Sequence, residues 1–549
     1  MITMPSSPLD KFLEWEKKLP DKVFLRQPIS GQWKTWTWLQ AGGEARRLAS
    51  GLQNVGLQKG DHVAILSKNC AEWIISDIAI MMMGGVSIPI YPTLSDHGIE
   101  PILKHSDAKS IIIGKLDNYS SQEKGIPLSI PRIGMHTYGI SEQFTYEELI
   151  RNNQPFEEIY QWKPDDIITI IYTSGTTGKS KGVMHRVKAF DATINIAVPS
   201  LELPLKPVLI SYLPLSHIAE KAGIEINAIY TGGEISFAES LETFSKNLAE
   251  IQPQIFFAVP RIWGKIREGI LSKMKQKKLD LLLSVPILSY IIKKGIKKKL
   301  GFSRTSHFYS AAAPISVELQ KWYQKIGITI YQAYGMTEDC VYAHFCGPKG
   351  NKFGTVGKPF KGLQVKIADD GEIRVKSDGN MVGYYKEPEM TDSVFDEENY
   401  FKTGDMGEYD EEGYLKITGR VKDQFKTDKG KYISPGPIEV KLLSNTDIEF
   451  CCLVGTGVPQ PMALICLSET GKKKSKDDLI KSLSDSIHFI NPDLEKYERI
   501  EKAVIMKENW TIANNKITPS LKVKRNEIER EHLPVYPQWY DKPGLVVWE

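Results

Sequence analysis

Residues 172–185 read YTSGTTGKSKGVMH and hold the groups with the clearest chemical capacity in the chain. Hydroxyl side chains (among them Tyr172, Thr173, Ser174, Thr176, Thr177), three glycines (Gly175, Gly178, Gly182) and two lysines (Lys179, Lys181) follow directly on an apolar run. Glycine lets backbone N–H groups approach an anion, hydroxyls donate to phosphate oxygens, and lysine neutralises charge. Such a loop suits the triphosphate tail of a nucleotide. One competitor is the phosphate loop G-x-x-x-x-G-K-[ST]. Gly178-Lys179-Ser180 fits its end, but its first glycine falls at Thr173, where the turn needs glycine. A polar surface loop is the bland alternative, and the length of the cluster and its place after a strand weigh against it.

Further motifs follow in order: LPLSHIAEK at 213–221, SAAAPIS at 310–316, YQAYGMTE at 331–338, KTGD at 402–405, GRVKD at 419–423 and KITPSLKVKR at 516–525. With the loop, they resemble the motifs of the adenylate-forming (AMP-binding) superfamily of acyl-CoA synthetases, adenylation domains and luciferases. The stretch GDHVAILSKNCAEWIISDIAIMMMGGVSIPIYPT at 60–93 is similar to the long-chain fatty acyl-CoA synthetase branch. The resemblance covers nearly the whole chain, and so many motifs in family order make chance agreement negligible.

The resemblance implies a role for each matching residue. Thr173, Ser174, Gly175, Thr176, Thr177, Gly178 and Lys181 hold the ATP phosphates. Ala312 and Ala313 border the adenine, in a segment usually richer in glycine. Tyr334, followed by Gly335, offers a flat face to the base. Asp405 accepts from both ribose hydroxyls, and Arg420 donates its fixed fork to ribose or phosphate. Thr337 bonds the α-phosphate, and Glu338 is a hard oxygen ligand for a magnesium ion, Mg²⁺, that bridges phosphates. Without the other motifs, Asp405 reads as a turn residue, Tyr334 as core and Glu338 as a solvated charge. His217 lines the acyl site as a substrate-proximal residue rather than a proton carrier. Lys522 takes the position of the adenylation lysine, with Leu521 in place of the usual glycine and Lys516 and Lys524 as fallback candidates. A flexible point charge there bridges carboxylate and α-phosphate as negative charge gathers. Lys422, two residues after Arg420, takes the hinge position.

The implied reaction has two steps. A fatty carboxylate attacks the α-phosphorus of ATP, giving an acyl-adenylate and pyrophosphate; the CoA thiolate then attacks the acyl carbon and releases AMP. ATP and CoA are co-substrates, and roughly C12–C18 acids are expected over acetate or aromatic acids, at a gain of about 0.8 kcal/mol per buried CH₂. Three alternatives stand beside this: a fatty acyl-AMP ligase loading an acyl carrier protein, a P-loop NTPase releasing γ-phosphate, and a non-catalytic acyl-binding relative.

The elements that must position these residues alternate in type. An apolar run at 62–66, a helical stretch at 71–83, the pair Gly84-Gly85 and a second apolar run at 86–91 read as a βαβ unit, hence a parallel sheet covered by helices. Apolar runs recur at 167–172, 208–213 and 254–259. From about Gly371 the pattern turns to short alternating strands, GEIRVKS and GYLKITGR. Beyond Arg420, two strands at 450–454 and 463–467 precede a helix at 477–490. The expected fold is α/β: a large N-terminal domain, 1–420, of layered parallel-rich sheets with helices and a small β-rich subdomain, and a smaller mobile α+β C-terminal domain, 421–549, carrying the lysine.

Composition sets outer bounds. The 549 residues are 25% charged and 41% hydrophobic, and 70 basic against 67 acidic residues leave +3, so bulk charge points to no nucleic-acid partner. Six cysteines without metal-ligand spacing suggest a reducing compartment. The N-terminus lacks the apolar region of a signal peptide, and the stretch 74–92 carries Asp77, two glycines and Pro89, which a membrane span tolerates poorly. These features read as a cytoplasmic, soluble protein whose oligomeric state stays open, a homodimer among the options. One segment departs from the near-neutral balance. Residues 265–300 hold eleven Lys/Arg against Glu268 and Asp280, a local +9 interleaved with apolar residues. It reads either as a peripheral membrane contact or as a solvated pair of surface helices.

Overall fold

The computed structural model describes residues 5–174 and 180–549. Two large sheets dominate the first part. A seven-stranded sheet runs in the order Phe144–Thr145, Arg132–Gly134, Ser110–Ile113, His62–Leu66, Val86–Ile90, Ile167–Ser174, Ser180–Arg186. Its pairings are parallel except the last, which is an antiparallel hairpin. A nine-stranded sheet has a parallel centre of Val23–Ile29, Glu234–Phe237, Val208–Ser211, Ile255–Ala258, His307–Ser310 and Ile330–Tyr334, with antiparallel strands at both edges. The mixed α/β architecture of parallel-rich sheets with helices matches the sequence expectation, and the unit at 62–90 pairs in parallel from His62↔Val86 to Leu66↔Ile90.

The helix within that unit, Ala71–Met82, packs against Val86–Ile90 of one sheet and Val23–Ile29 of the other, and all its residues are buried. A helix covered on both sides must be apolar all round, which is why this stretch is so hydrophobic without being a membrane span. No helix among the described residues is long and apolar enough to cross a membrane. Its two buried acids both have partners: the Tyr138 hydroxyl donates to Glu72 Oε2 at 2.8 Å, and Lys221 Nζ donates to Asp77 Oδ2 at 2.8 Å and to Glu225 Oε2 at 3.4 Å. Lys221 opens a π-helical turn, Lys221–Ile226.

A four-stranded antiparallel sheet, Gln364–Ile367, Glu372–Lys376, Phe401–Tyr409 and Leu415–Arg420, follows. After the short turn Val421–Asp423, a second four-stranded sheet (Ile448–Val454, Met462–Leu467, Lys502–Ile505, Val546–Trp548) packs on Pro435–Leu442 and Lys476–Ile490. Among the described residues, no cluster of buried apolar side chains has members on both sides of residue 420. The segment at 265–300 is not a pair of helices but parts of three: Pro260–Lys273, Gln276–Ser284 and Pro286–Lys299. Met274 and Lys275 leave the helical conformation, and Pro286, lacking a backbone N–H, starts a new helix at its first turn. All six cysteines are unpaired and buried.

Burial keeps several imidazoles neutral. His185, fully buried on Phe190 with neither ring nitrogen hydrogen-bonded to protein, is lowered to about 3 by desolvation and then by Lys221. His344 is lowered to about 3 by burial. An unfolded chain takes up protons at these rings near the ordinary value of 6.5, whereas the folded chain does not until about pH 3, so stability falls as pH drops through that window. We expect the thermal midpoint to fall from pH 7 to pH 5, and His185→Leu, close in volume, to lose less over the same interval. An equal loss in both proteins in a paired calorimetric scan would remove His185 from the acid response.

Candidate functional site

The hydroxyl-rich loop joins the two strands of a hairpin, Ile167–Ser174 and Ser180–Arg186, in which Thr173 faces Lys181 and Tyr172 faces Gly182. Gly175, Thr176, Thr177 and Gly178 lie outside the described residues, as do Lys179 and the side chain of Ser174. Gly182 is required by packing: a Cβ there would lie 2.9 Å from Ile170 and 3.1 Å from the Tyr172 ring. Lys181 Nζ lies 4.9 Å from the centre of the Tyr384 ring, and Tyr384 donates its hydroxyl to Glu338 Oε1 at 3.0 Å. Burial lowers the Lys181 pKa, opposed by Glu338 and reinforced by Lys422. Tyr384 escapes sequence reasoning. It arrives because residues 382–385 run along Ser180–Arg186, with Val382 and Tyr385 donating backbone bonds to Met184 and Gly182 at 3.1 and 2.8 Å.

Strand Ile330–Tyr334 delivers Tyr334, and the turn after it delivers Thr337 and Glu338. Gly335 fits this turn because a Cβ would sit 2.8 Å from the Val341 backbone. Asp339 caps the turn by accepting from Met336 N at 2.9 Å, and burial pushes it up to about 8. Thr337 is buried, and Glu338 is half-buried.

Asp405 and Arg420 are register partners across the antiparallel pair Phe401–Tyr409 and Leu415–Arg420. The hairpin therefore makes a contact from two motifs fifteen residues apart: Arg420 Nε donates to Asp405 Oδ1 at 2.7 Å. Tyr334 donates its hydroxyl to Asp405 Oδ2 at 3.0 Å, so its polar tip is tied to the carboxylate expected to hold ribose. The Asp405 charge raises the Arg420 pKa. Lys422 follows in the exposed turn Val421–Asp423.

Lys522 sits on a tight turn. Thr518 N donates to Lys522 O at 2.8 Å, and Lys522 N donates to Thr518 Oγ1 at 3.0 Å. Desolvation and Arg420 lower the Lys522 pKa, while Asp405 and Glu338 oppose them; Lys522 in turn lowers His217. The fallback lysines face elsewhere: Lys516 pairs with Glu531, and Lys524 Nζ donates to Asn515 Oδ1 at 2.5 Å. Arg525 ties the turn inward through Glu439 and the Leu453 carbonyl.

His217 lies at the end of the segment 213–217. Its Nδ1 accepts from Ala219 N at 3.1 Å, which leaves the proton on Nε2, and burial followed by the Lys522 charge lowers it to about 4. The ring is therefore neutral at physiological pH. Two residues unremarked in the sequence hold the segment. Asn69 donates to Ser211 Oγ at 2.7 Å and to Leu213 O at 2.6 Å, and its Oδ1 accepts from Leu215 N at 3.2 Å. Glu220, pushed up to about 8 by burial, accepts from Ser211 Oγ at 2.8 Å and Tyr212 N at 2.9 Å. Ala312 and Ala313 lie between strand His307–Ser310 and helix Val317–Lys325, which Ser316 caps.

Lys181, Glu338, Asp405, Arg420, Lys522 and His217 thus come from separate stretches of chain and are linked by charge effects and hydrogen bonds. The comparisons agree with this architecture. The profile of the AMP-binding enzyme family matches residues 12–385, and that of the AMP-binding enzyme C-terminal domain matches residues 422–542. This chain belongs to the AMP-binding enzyme family of adenylate-forming proteins. It is 28% identical to a long-chain-fatty-acid–CoA ligase of Mycobacterium bovis over 585 aligned positions, covering 96% of each chain. It is 27% identical to a peroxisomal long chain acyl-CoA synthetase of Arabidopsis thaliana, covering 94% of this chain and 82% of that one. In fold it is similar to the adenylation domain of a carboxylate reductase from Mycobacterium chelonae, with a TM-score of 0.82 at 19% identity over 98% of this chain and 91% of that one. These relatives place the sequence similarity in the fatty acyl-CoA synthetase branch.

Two motif residues other than glycine adopt the left-handed region: Ala312 at φ 68° and Leu521 at φ 61°. That region costs a non-glycine residue about 1–2 kcal/mol, and Leu521, 44% exposed, recovers little of it by burial. Leu521→Gly should raise the unfolding free energy in urea by about 1 kcal/mol after the entropy glycine adds to the unfolded chain. Pyrophosphate exchange should stay within about twofold, since the Thr518–Lys522 backbone bonds persist. Destabilisation instead would show that the leucine side chain makes a contact outweighing its strain.

Proposed function

We propose that this chain is an AMP-forming long-chain fatty acid–CoA ligase, with Lys522, Thr337 and Glu338 as its catalytic residues. The observation that carries the reading is that Arg420, Asp405 and Glu338 act by their charges on Lys522, although all four belong to separate motifs, and that Arg420 is bonded to Asp405. Adenylation joins two anions, so it needs cations placed where charge gathers, and Lys181 and Lys522 supply them from different elements. The names of the relatives support the long-chain substrate.

In the first step a carboxylate oxygen forms a bond to the α-phosphorus of ATP, and the bond to the pyrophosphate oxygen breaks. Lys522 lies across the carboxylate and α-phosphate, Thr337 donates to the α-phosphate, and Lys181 with residues 173–178 holds the outgoing pyrophosphate. Asp405 and Arg420 fix the ribose, and Ala312, Ala313, Tyr334 and Gly335 border the adenine. Glu338, its Oε1 held by the Tyr384 hydroxyl, is a hard oxygen donor that would hold a magnesium ion. When bound, Mg²⁺ offsets phosphate charge.

In the second step the CoA thiolate forms the thioester bond to the acyl carbon, and the acyl–phosphate oxygen bond breaks to release AMP. Residues 421–549 act as a cap that turns about Lys422, withdrawing Lys522 and exposing a CoA path past His217. A fatty acyl-AMP ligase serving a carrier protein would stop at the adenylate.

A fatty-acid panel with ATP and CoA, following pyrophosphate, AMP and acyl-CoA together, tests the whole reading. Palmitate should exceed butyrate in kcat/KM by at least about tenfold; equal values would overturn the long-chain assignment. Acyl-adenylate that accumulates despite CoA would instead mark a carrier-protein acceptor. Lys522→Ala should cut acyl-adenylate formation by about a hundredfold or more while thioester formation from supplied acyl-adenylate persists. Adenylation undiminished in that variant would withdraw the role from Lys522.

A further inference from the structure

The helices Gln276–Ser284 and Pro286–Lys299 have inner and outer sides of different standing. On the inside, Leu279, Leu283, Ile292 and Ile296 join the cluster around Trp263 and Phe302. On the outside, Leu281, Ile287, Tyr290 and Ile291 are 69, 76, 68 and 56% exposed, with Val285 and Leu288 exposed beside them. Other exposed large apolar side chains are dispersed through the described residues, whereas these six fall within residues 281–291. A contiguous apolar patch rimmed by polar residues marks a surface that meets something else.

The rim identifies the partner. Lys277, Lys278, Lys294, Lys298 and Lys299 are exposed around the patch, within the segment of local charge +9. At about 100° per residue, Ile287, Ile291, Lys294 and Lys298 fall on one stripe of helix Pro286–Lys299. The same face therefore passes from aliphatic at its start to basic at its end. Lysine stems can lie along apolar material while their ammonium groups stay in a polar layer.

We infer that this helix pair is the surface by which the protein docks on an anionic lipid bilayer. The corner at 285–291 enters the boundary between headgroups and acyl chains, and the lysines meet the lipid phosphates. Neither helix is long enough to span, so the attachment lies in the plane of the surface. A nucleic acid would use the lysines but offer nothing to six exposed apolar side chains. A second copy of this chain would bring a like-charged face against the first. The docking surface shares no residue with the proposed nucleotide site and stands whatever acid that site activates.

Co-sedimentation of the full chain with vesicles tests it. The protein should pellet with vesicles made of equal parts phosphatidylcholine and phosphatidylglycerol, weakly with phosphatidylcholine alone, and be released by salt. The double variant Ile287→Ser/Ile291→Ser alters no inward-facing residue and should lower partition about tenfold or more, while pyrophosphate exchange with a short soluble acid is unchanged. Ile287→Cys carrying an environment-sensitive fluorophore gives an independent readout, since the native thiols are all buried; its emission should rise and shift to the blue on anionic vesicles. Equal pelleting with both vesicle types, undiminished binding by the double variant, or a label that stays in water would each overturn the proposal. So would a dimer, seen by light scattering without lipid, that the double variant reduces to monomer.

Discussion

The structure turns on a helix with sheet on both sides. Ala71–Met82 has no solvent face, so the charge it carries at Asp77 must be met from inside. Lys221 meets it, and Glu225 completes the group; burial drives the Glu225 carboxyl up, while the Lys221 charge acts to hold the Asp77 carboxyl down. Such a pair is not a net source of stability, since the cost of drying two charges rivals their attraction. Removing one partner alone strands the other and costs about 3–5 kcal/mol. The pair instead fixes where the segment after His217 must lie. It also fits the π turn at Lys221–Ile226, an irregularity frequent at functional sites.

From that anchor the proposed acyl side of the site is over-determined. Asn69, two residues before the buried helix, holds Leu213 and Leu215, while Glu220, directly before Lys221, holds Ser211 and Tyr212. Segment 213–217 is thus pinned at both ends to the seam between sheets, and His217 is delivered there as a neutral ring. The nucleotide side is built differently. Its Asp405–Arg420 contact is a strand register, and its Tyr334–Asp405 bond links the nine-stranded sheet to the four-stranded one.

Much of this is legible in the sequence, and the limits are physical. The unit at 62–90 can be read because a strand, a helix and a strand separated by Gly84-Gly85 interact locally. The motifs can be read because phosphate, ribose and metal chemistry demand particular residue types. What sequence hides is pairing at long range: Tyr384 reaches Glu338 through a bridge to another strand, and Asn69 reaches Leu213 across the seam. Neither a tyrosine outside the recognised motifs nor an asparagine within the stretch 60–93 gives any sign of its partner. Conformation is hidden too. Nothing in SAAAPIS or PSLK announces that Ala312 and Leu521 adopt the left-handed backbone glycine would take at no cost. The helices at 265–300 defeat counting because an apolar stripe on a basic segment looks the same whether it faces the core or the solvent.

A proposed cap that turns must be cheap to release yet rigid within itself, and the contacts divide that way. Across residue 420, Arg261 pairs with Glu449 and Arg267 donates to the Ser444 carbonyl at 3.3 Å. Half-exposed polar contacts of this kind contribute about 0–1 kcal/mol each and reform readily. Within the cap the lysine turn is fastened far more tightly. Arg525 is buried against Glu439 and the Leu453 carbonyl, and Glu439 also accepts from Leu453 N at 2.6 Å. Lys522 therefore moves with the sheet behind it or not at all. The strain at Leu521 stays inside the cap, where rotation neither relieves nor increases it, so it opposes neither half of the cycle.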